Sequence, residues 1–343
     1  MKNWLFLFLL LLSGFTSLYA QQIIALQAGK NTSIRGLSIV DNFTAWVSGS
    51  KGWTSITTDG GKSWRWVQIP GYETFDFRDI EAFSKTDAVI VSAGTPAVIL
   101  LTNNGGIDWK EVYRNESPDI FLDGMDFKDS RSGIIYGDPI KGKMQLLRTV
   151  NGGLSWTDIS SHLTANLIEG EASFAASGTA IRTLKNGKTF IVSGGSQSRI
   201  FVSDDFGDLW KTYACPIIQG KSSTGPFSIA FLNKRKGVAV GGDYLSDTSS
   251  VTNMLLTTDG GKTWGGPETN PFGYKSSVEF ISSDVLVATG TSGTDISTDK
   301  GKNWQVLTKE GFNTVRKAKS GSLVLLAGAN GKISILQMSS VRF

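Results

Sequence analysis

Apolar positions in this 343-residue chain come in short runs. Seven of these runs end at glycine: AWVSG (45–49), VIVSAG (89–94), GIIYG (133–137), FIVSG (190–194), VAVGG (238–242), VLVATG (285–290) and VLLAG (324–328). Short runs rich in Val, Ile and Ala, with turn formers at their ends, predict β-strands. Each of the first six is followed by one further strand and then a polar, glycine-rich turn. The seventh is followed only by GKISILQ (331–337), so the chain ends one strand short. The segment IIALQ (23–27) is a candidate for the missing strand. Paired as the outermost strand of the last unit, it would join the two ends of a ring and leave no open gap.

The polar turns repeat a single pattern. They read TTDGGKSW (57–64), TNNGGIDW (102–109), TVNGGLSW (149–156), SDDFGDLW (203–210), TTDGGKTW (257–264) and STDKGKNW (297–304). Their tryptophans, Trp64, Trp109, Trp156, Trp210, Trp264 and Trp304, lie 45, 47, 54, 54 and 40 residues apart. A period of roughly 45 residues is that of a four-stranded propeller blade, which buries its apolar face only against neighbouring blades. Asp59, Asn104, Asn151, Asp205, Asp259 and Asp299 hold the third position, where a short side chain accepts hydrogen bonds from the backbone downstream. The tryptophan is expected to fill the seam beside the next blade, its indole N–H bonded to a carbonyl. Six scattered turns cannot form one site, so these residues are assigned to structure. The predicted fold is all-β: a seven-bladed β-propeller of four-stranded blades, closed by an N-terminal strand, with these turns between third and fourth strands. Blades would begin near Ser33, Asp76, Ile120, Gly170, Pro226, Lys275 and Asn313.

Residues 1–20 stand apart. Lys2 precedes the apolar run WLFLFLLLL (4–12), which is too short to cross a bilayer comfortably. The segment predicts a signal peptide cut after Ala20, a secreted or periplasmic protein, and a single domain over 21–343. The residue directly after the cut is Gln21 rather than Cys, which argues against a lipid anchor. The formal charge of +4 is small and its basic residues are scattered, so nucleic acid is not an expected partner. One Cys and one His, Cys215 and His162, exclude an internal disulfide and a multi-histidine metal site. No metal and no cofactor are predicted, and the chain is expected to be a monomer.

Strands in a blade alternate direction, so the turns divide between two faces. The face bearing the repeated turns has short connections. The opposite face has long ones: 137–144, 160–170, 213–225, 242–250 and 265–277. Long loops on a rigid scaffold are where binding concentrates. Polar residues gather at the same end. Arg35, Arg78, Asp79, Asp123, Glu169, Glu171, Lys275 and Asn313 sit at or near inner-strand starts, and Asp138, Asp243 and Tyr244 just past second strands. Together they predict a charged channel mouth that takes a protein partner or a polar glycan. Arg35 and Arg78 would grip an anion, Asp79, Asp123, Asp138, Glu171 and Asp243 would accept hydrogen bonds or cations, and Tyr244 would offer a ring and a hydroxyl.

The repeated turns match the Asp-box, or BNR repeat. Together with segments such as IRGLSIVDNFTAWVSG (34–49), FRDIEAF (77–83), SGIIYGDP (132–139), GVAVGGDY (237–244) and GFNTVRKAKSG (311–321), they make the chain resemble exported bacterial proteins of the photosystem II stability/assembly factor-like family. That resemblance implies a propeller that binds an unassembled protein rather than turning over a substrate, with the expectation centred on Arg35 and Arg78. The enzyme alternative is a sialidase-like or other glycoside hydrolase, for which Glu171, Asp138, Asp243 and Tyr244 are the candidate catalytic residues. A sialidase clasps a carboxylate with three arginines. Here Arg316 is the only further inner-strand candidate, and the Arg-Ile-Pro segment is replaced by Arg35-Gly36-Leu37.

Overall fold

A computed structural model of the chain describes residues 19–340. Most of the predicted signal peptide therefore lies outside the described residues. Seven antiparallel sheets follow one another around a ring. Blade 1 comprises Ile34–Ile39, Ala45–Gly49, Trp53–Thr57 and Arg65–Gln68. Blade 2 comprises Asp76–Ala82, Ala88–Ala93, Ala97–Thr102 and Lys110–Asn115. Blades 3 and 6 repeat this order, from Leu122–Phe127 and Ser277–Phe280 outward.

The ring closes as the sequence predicts. Tyr19–Gln27 lies antiparallel on Ile333–Ser340, with Ile24 opposite Ile335, as the outermost strand of blade 7. Tyr19 and Ala20, read from the sequence as the end of the signal peptide, belong to this strand. On the inside, the Asn313 amide donates to the Ile34 carbonyl at 2.8 Å and ties blade 7 to blade 1.

Two blades depart from the four-strand pattern. In blade 5 the outer strand is reduced to one bridge, Leu256 to Gly265, on the strand Met254–Thr257. The following GGPETNPFG contains two prolines, which lack the N–H a ladder requires. In blade 4 the inner strand is split into Glu171–Ala172 and Ile181–Thr183, and residues 173–180 leave the sheet between them.

The repeated turns are built as expected inside but face the other way. In the first, Thr57 Oγ1 accepts from Gly61 N at 2.9 Å, and Asp59 Oδ1 accepts from Ser63 N at 3.0 Å. Bonds from the Ser63 hydroxyl and backbone hold the Asp59 carboxyl down at about 2. The Trp64 indole donates to the Gly61 carbonyl of its own turn, a contact repeated by Trp156, Trp210, Trp264 and Trp304. Trp109 lacks this bond and instead meets Trp46 of blade 1 edge-on at 6.2 Å. The expectation of packing beside the next blade is corrected here: the turns pack against the preceding one. A Cβ on Gly153 would lie 2.8 Å from Val89 of blade 2, and one on Gly261 would lie 2.9 Å from Ile200 of blade 4. The fifth position must be glycine because it is where one blade touches the last.

Among the described residues, no helix is long and apolar enough to cross a membrane.

Candidate functional site

Residues 173–180 decide the shape of the loop-rich mouth. Alanine, serine and glycine predominate, so the segment is thin enough to cross the channel, and its polar backbone must find partners on the way. Ser173 N donates to Asp138 of blade 3 at 2.9 Å. Tyr136 Oη donates to the Phe174 carbonyl at 3.4 Å, and Arg35 Nη1 of blade 1 to the Ala176 carbonyl at 3.0 Å. Ser177 Oγ donates to the Ser276 carbonyl of blade 6 at 2.7 Å, and Thr179 Oγ1 to Ser228 Oγ of blade 5 at 2.5 Å. The segment is a plug bonded to the inner strands of blades 1, 2 and 5, to the second strand of blade 3 and to the residue that leads into blade 6. Gly178 packs against Asp79 of blade 2. It has φ +68, and a Cβ there would lie 2.2 Å from the Asp79 Cγ.

Above the plug lies an open funnel of about 450 Å³. One side is basic. Arg35 and Arg78 line it, with Arg78 Nε on Asp76 at 2.8 Å and its guanidinium 5.7 Å from the Phe121 ring. Burial and the neighbouring Arg78 lower the Arg35 pKa from its ordinary value. The other side is aromatic. Phe174 stacks on Phe227 at 3.9 Å, Tyr274 meets Phe227 edge-on at 4.8 Å, and Tyr244 completes the wall half-exposed to solvent. Further exposed apolar side chains, Ile168, Leu245, Val251 and Phe272, stand on the loops of the same face.

The predicted site residues separate into three groups. Arg35, Arg78, Asp123, Asp138, Tyr244 and Asn313 line the funnel. The Asp123 carboxyl is buried at its wall, and neither oxygen has a hydrogen-bond partner. Burial, then repulsion from Asp138, raises its pKa well above the carboxylate range, against the pull of Arg78. Burial also raises Asp138.

A second group is consumed by structure. Asp79 is buried under the plug and accepts from Ile80 N and Met125 N at 2.9 and 2.7 Å. The Glu171 side chain has no exposed surface; Arg199 grips both of its oxygens, at 2.8 and 2.5 Å, and Ile168 N and Ser193 Oγ add further bonds. Lys275 is paired with Asp295 at 2.6 Å, both buried. A third group stands off the funnel. Asp243 accepts from Leu245 N at 3.0 Å with Lys221 at 3.7 Å, and Glu169 is exposed. Arg316 lines a separate cavity at the end that bears the repeated turns, near Glu279 at 3.9 Å. His162 Nδ1 is 3.1 Å from the Gly207 carbonyl, and burial pushes the Cys215 thiol up to about 12.

Sequence reasoning missed the plug and the aromatic wall. The signal was local: AASG (175–178) is a poor β-former where an inner strand should run.

No family model and no curated protein matches the chain. Solved structures do. It is similar to "YCF48 bound to D1 peptide" with a TM-score of 0.65 and 15% identity over 92% of this chain and 96% of that one. It is similar to "YCF48 from Cyanidioschyzon merolae" at 0.64 and 15%, over 92% and 98%. The WD40 propeller domain of Doa1 follows at 0.62 and 11%, over 93% and 97%. At these identities the likeness is one of architecture, and the architecture is the seven-bladed β-propeller.

Proposed function

We propose that the chain is an exported, monomeric binding module that holds a protein segment in the loop-rich funnel. The observation that carries this reading is the pairing of two arginines with an aromatic wall in one open cavity. A peptide carboxylate meets the guanidinium donors of Arg35 and Arg78, while an apolar side chain packs on Phe174, Phe227 and Tyr244. The exposed apolar residues on the surrounding loops extend the contact beyond the cavity. A solved propeller of similar architecture is described as bound to a peptide, which supports the same mode of use. Hydrolysis has less support. Glu171 has no free oxygen, and only two arginines line the funnel.

The test is fluorescence anisotropy with a panel of labelled peptides that end in an aromatic or aliphatic residue. Each is offered with a free carboxylate and as the amide. Saturable binding should require the carboxylate and weaken roughly tenfold or more in Arg35→Ala and in Tyr244→Ala. Equal affinity of both variants and the wild type overturns the assignment, and binding of glycans alone replaces it with a lectin.

A further inference from the structure

The ionisable groups of the funnel wall leave an unmatched remainder on blade 3. Arg78 is paired with Asp76 at 2.8 Å, and Arg35 gives Nη1 to the plug at the Ala176 carbonyl. The two carboxyls on the first and second strands of blade 3 have no such match. Asp138 is half-buried; its Oδ1 accepts from Ser173 N at 2.9 Å, and its Oδ2 has no hydrogen bond among the described residues. Asp123 is 1% exposed, and neither of its oxygens has a donor. The two groups are close. After burial, repulsion from Asp138 does most to raise the Asp123 pKa, and Arg78 is the cation that opposes it. No cation lowers Asp138; only the Ser173 amide does.

Three carboxylate oxygens on one wall therefore lack a donor, and a buried carboxyl left in that state is costly. A proton shared by the pair supplies one donor. A primary ammonium supplies three, together with a charge that both carboxyls attract. A calcium ion would need about six to eight oxygens, more than this wall offers.

The order of the blades says which residue of a bound segment brings that ammonium. Arg35 and Arg78 stand on blades 1 and 2, and the carboxyl pair on blade 3. The aromatic wall lies across the ring, on blade 5 and at the entry to blade 6, with Phe227, Tyr244 and Tyr274. In an extended segment successive side chains point to opposite sides. A terminal apolar side chain packed on the aromatic wall therefore turns the residue before it towards blade 3. We propose, resting on the reading that the funnel takes a peptide carboxylate, that this penultimate residue is lysine, its ammonium held by Asp138 with Asp123 behind it. An acidic residue in that place meets two carboxyls, so the same pair turns acidic segments away.

The test is fluorescence anisotropy on the full chain with labelled peptides that end in Lys-Phe, Gln-Phe or Glu-Phe and are identical elsewhere, each as the free acid and as the amide. Wild type should bind the Lys-Phe acid roughly tenfold or more tighter than the Gln-Phe acid, with Glu-Phe weakest. In Asp138→Asn the side-chain oxygen can still accept from Ser173 N, and the ratio of Lys-Phe to Gln-Phe affinity should fall to about one. Asp138→Lys should reverse the preference towards Glu-Phe. Equal binding of Lys-Phe and Gln-Phe by wild type, with the free carboxylate still required, overturns this inference and leaves the carboxylate reading standing; that comparison needs no variant to fold. A lysine preference that survives in both Asp138→Asn and Asp123→Asn assigns the ammonium to another acid and also overturns it. Indifference to the carboxylate, or no saturable binding at all, removes both readings.

Discussion

Replacing Gly178 by alanine should displace the plug, and its cost can be worked from two separate causes. At φ +68 a side chain sits in the left-handed region, which costs about 1–2 kcal/mol. The added Cβ would also lie 2.2 Å from the Asp79 Cγ, with both carboxylate oxygens at 2.3 Å. Asp79 cannot swing away cheaply, because Ile80 N and Met125 N hold its two oxygens. Overpacking of this kind costs about 1–3 kcal/mol more. The control is Gly71→Ala. Gly71 has φ +83 and nothing within 4 Å of a built Cβ, so it carries the backbone cost alone. Urea unfolding followed by tryptophan fluorescence should place Gly178→Ala about 1–3 kcal/mol below Gly71→Ala. Equal stabilities would refute the plug, since a segment free to move would make room for one methyl group.

Three further outcomes follow from buried charge and burial. Arg199→Met strands the Glu171 carboxylate in the interior and should cost about 3–5 kcal/mol in the same assay, with Glu171→Gln on that background restoring part of the loss. Burial, opposed by Arg182, pushes the Asp126 carboxyl up to about 6 in the folded chain. The folded form then binds more protons than the unfolded one between about pH 4 and 6, so stability should fall as pH rises through that window. In Asp126→Asn, whose side-chain oxygen can still accept from Thr183 N, urea midpoints across that window should show a flatter slope. Cys215, fully buried with its thiol raised to about 12, should ignore a thiol-reactive dye in the native protein and react once urea unfolds it.

The ring was legible because its information is local and repeated. Six turns with Ser or Thr, Asp or Asn, glycine and tryptophan at fixed offsets state the blade period directly, and the missing strand after GKISILQ points to the N-terminus. The direction of the tryptophans was not legible, since a seam has two sides and the pattern within one turn is the same for either. Arg35 and Arg78 were found because arginine is unusual at the start of a buried inner strand. Glu171 stood out for the same reason, but its partner Arg199 lies on another strand of the same blade, and nothing in EGEASF announces that pairing. For the plug, AASG (175–178) signals locally that the inner strand breaks, but not where the segment goes: Ser173 to Ala180 makes its bonds to blades far away in sequence, from Arg35 to Ser276. In blade 5 a full fourth strand was expected and the structure keeps one bridge, because Pro267 and Pro271 in its last segment lack the N–H that a ladder requires.

The central claim is that one face recognises a partner while the plug and its arginines form the floor of that site. Hydrogen–deuterium exchange on the full chain, with and without a saturating peptide from the anisotropy panel, tests it most directly. The account predicts new protection in 173–180 and in the loop carrying Tyr244 and Leu245, with the repeated tryptophan turns unchanged. Protection confined to the repeated tryptophan turns, with 173–180 exchanging as before, would contradict it.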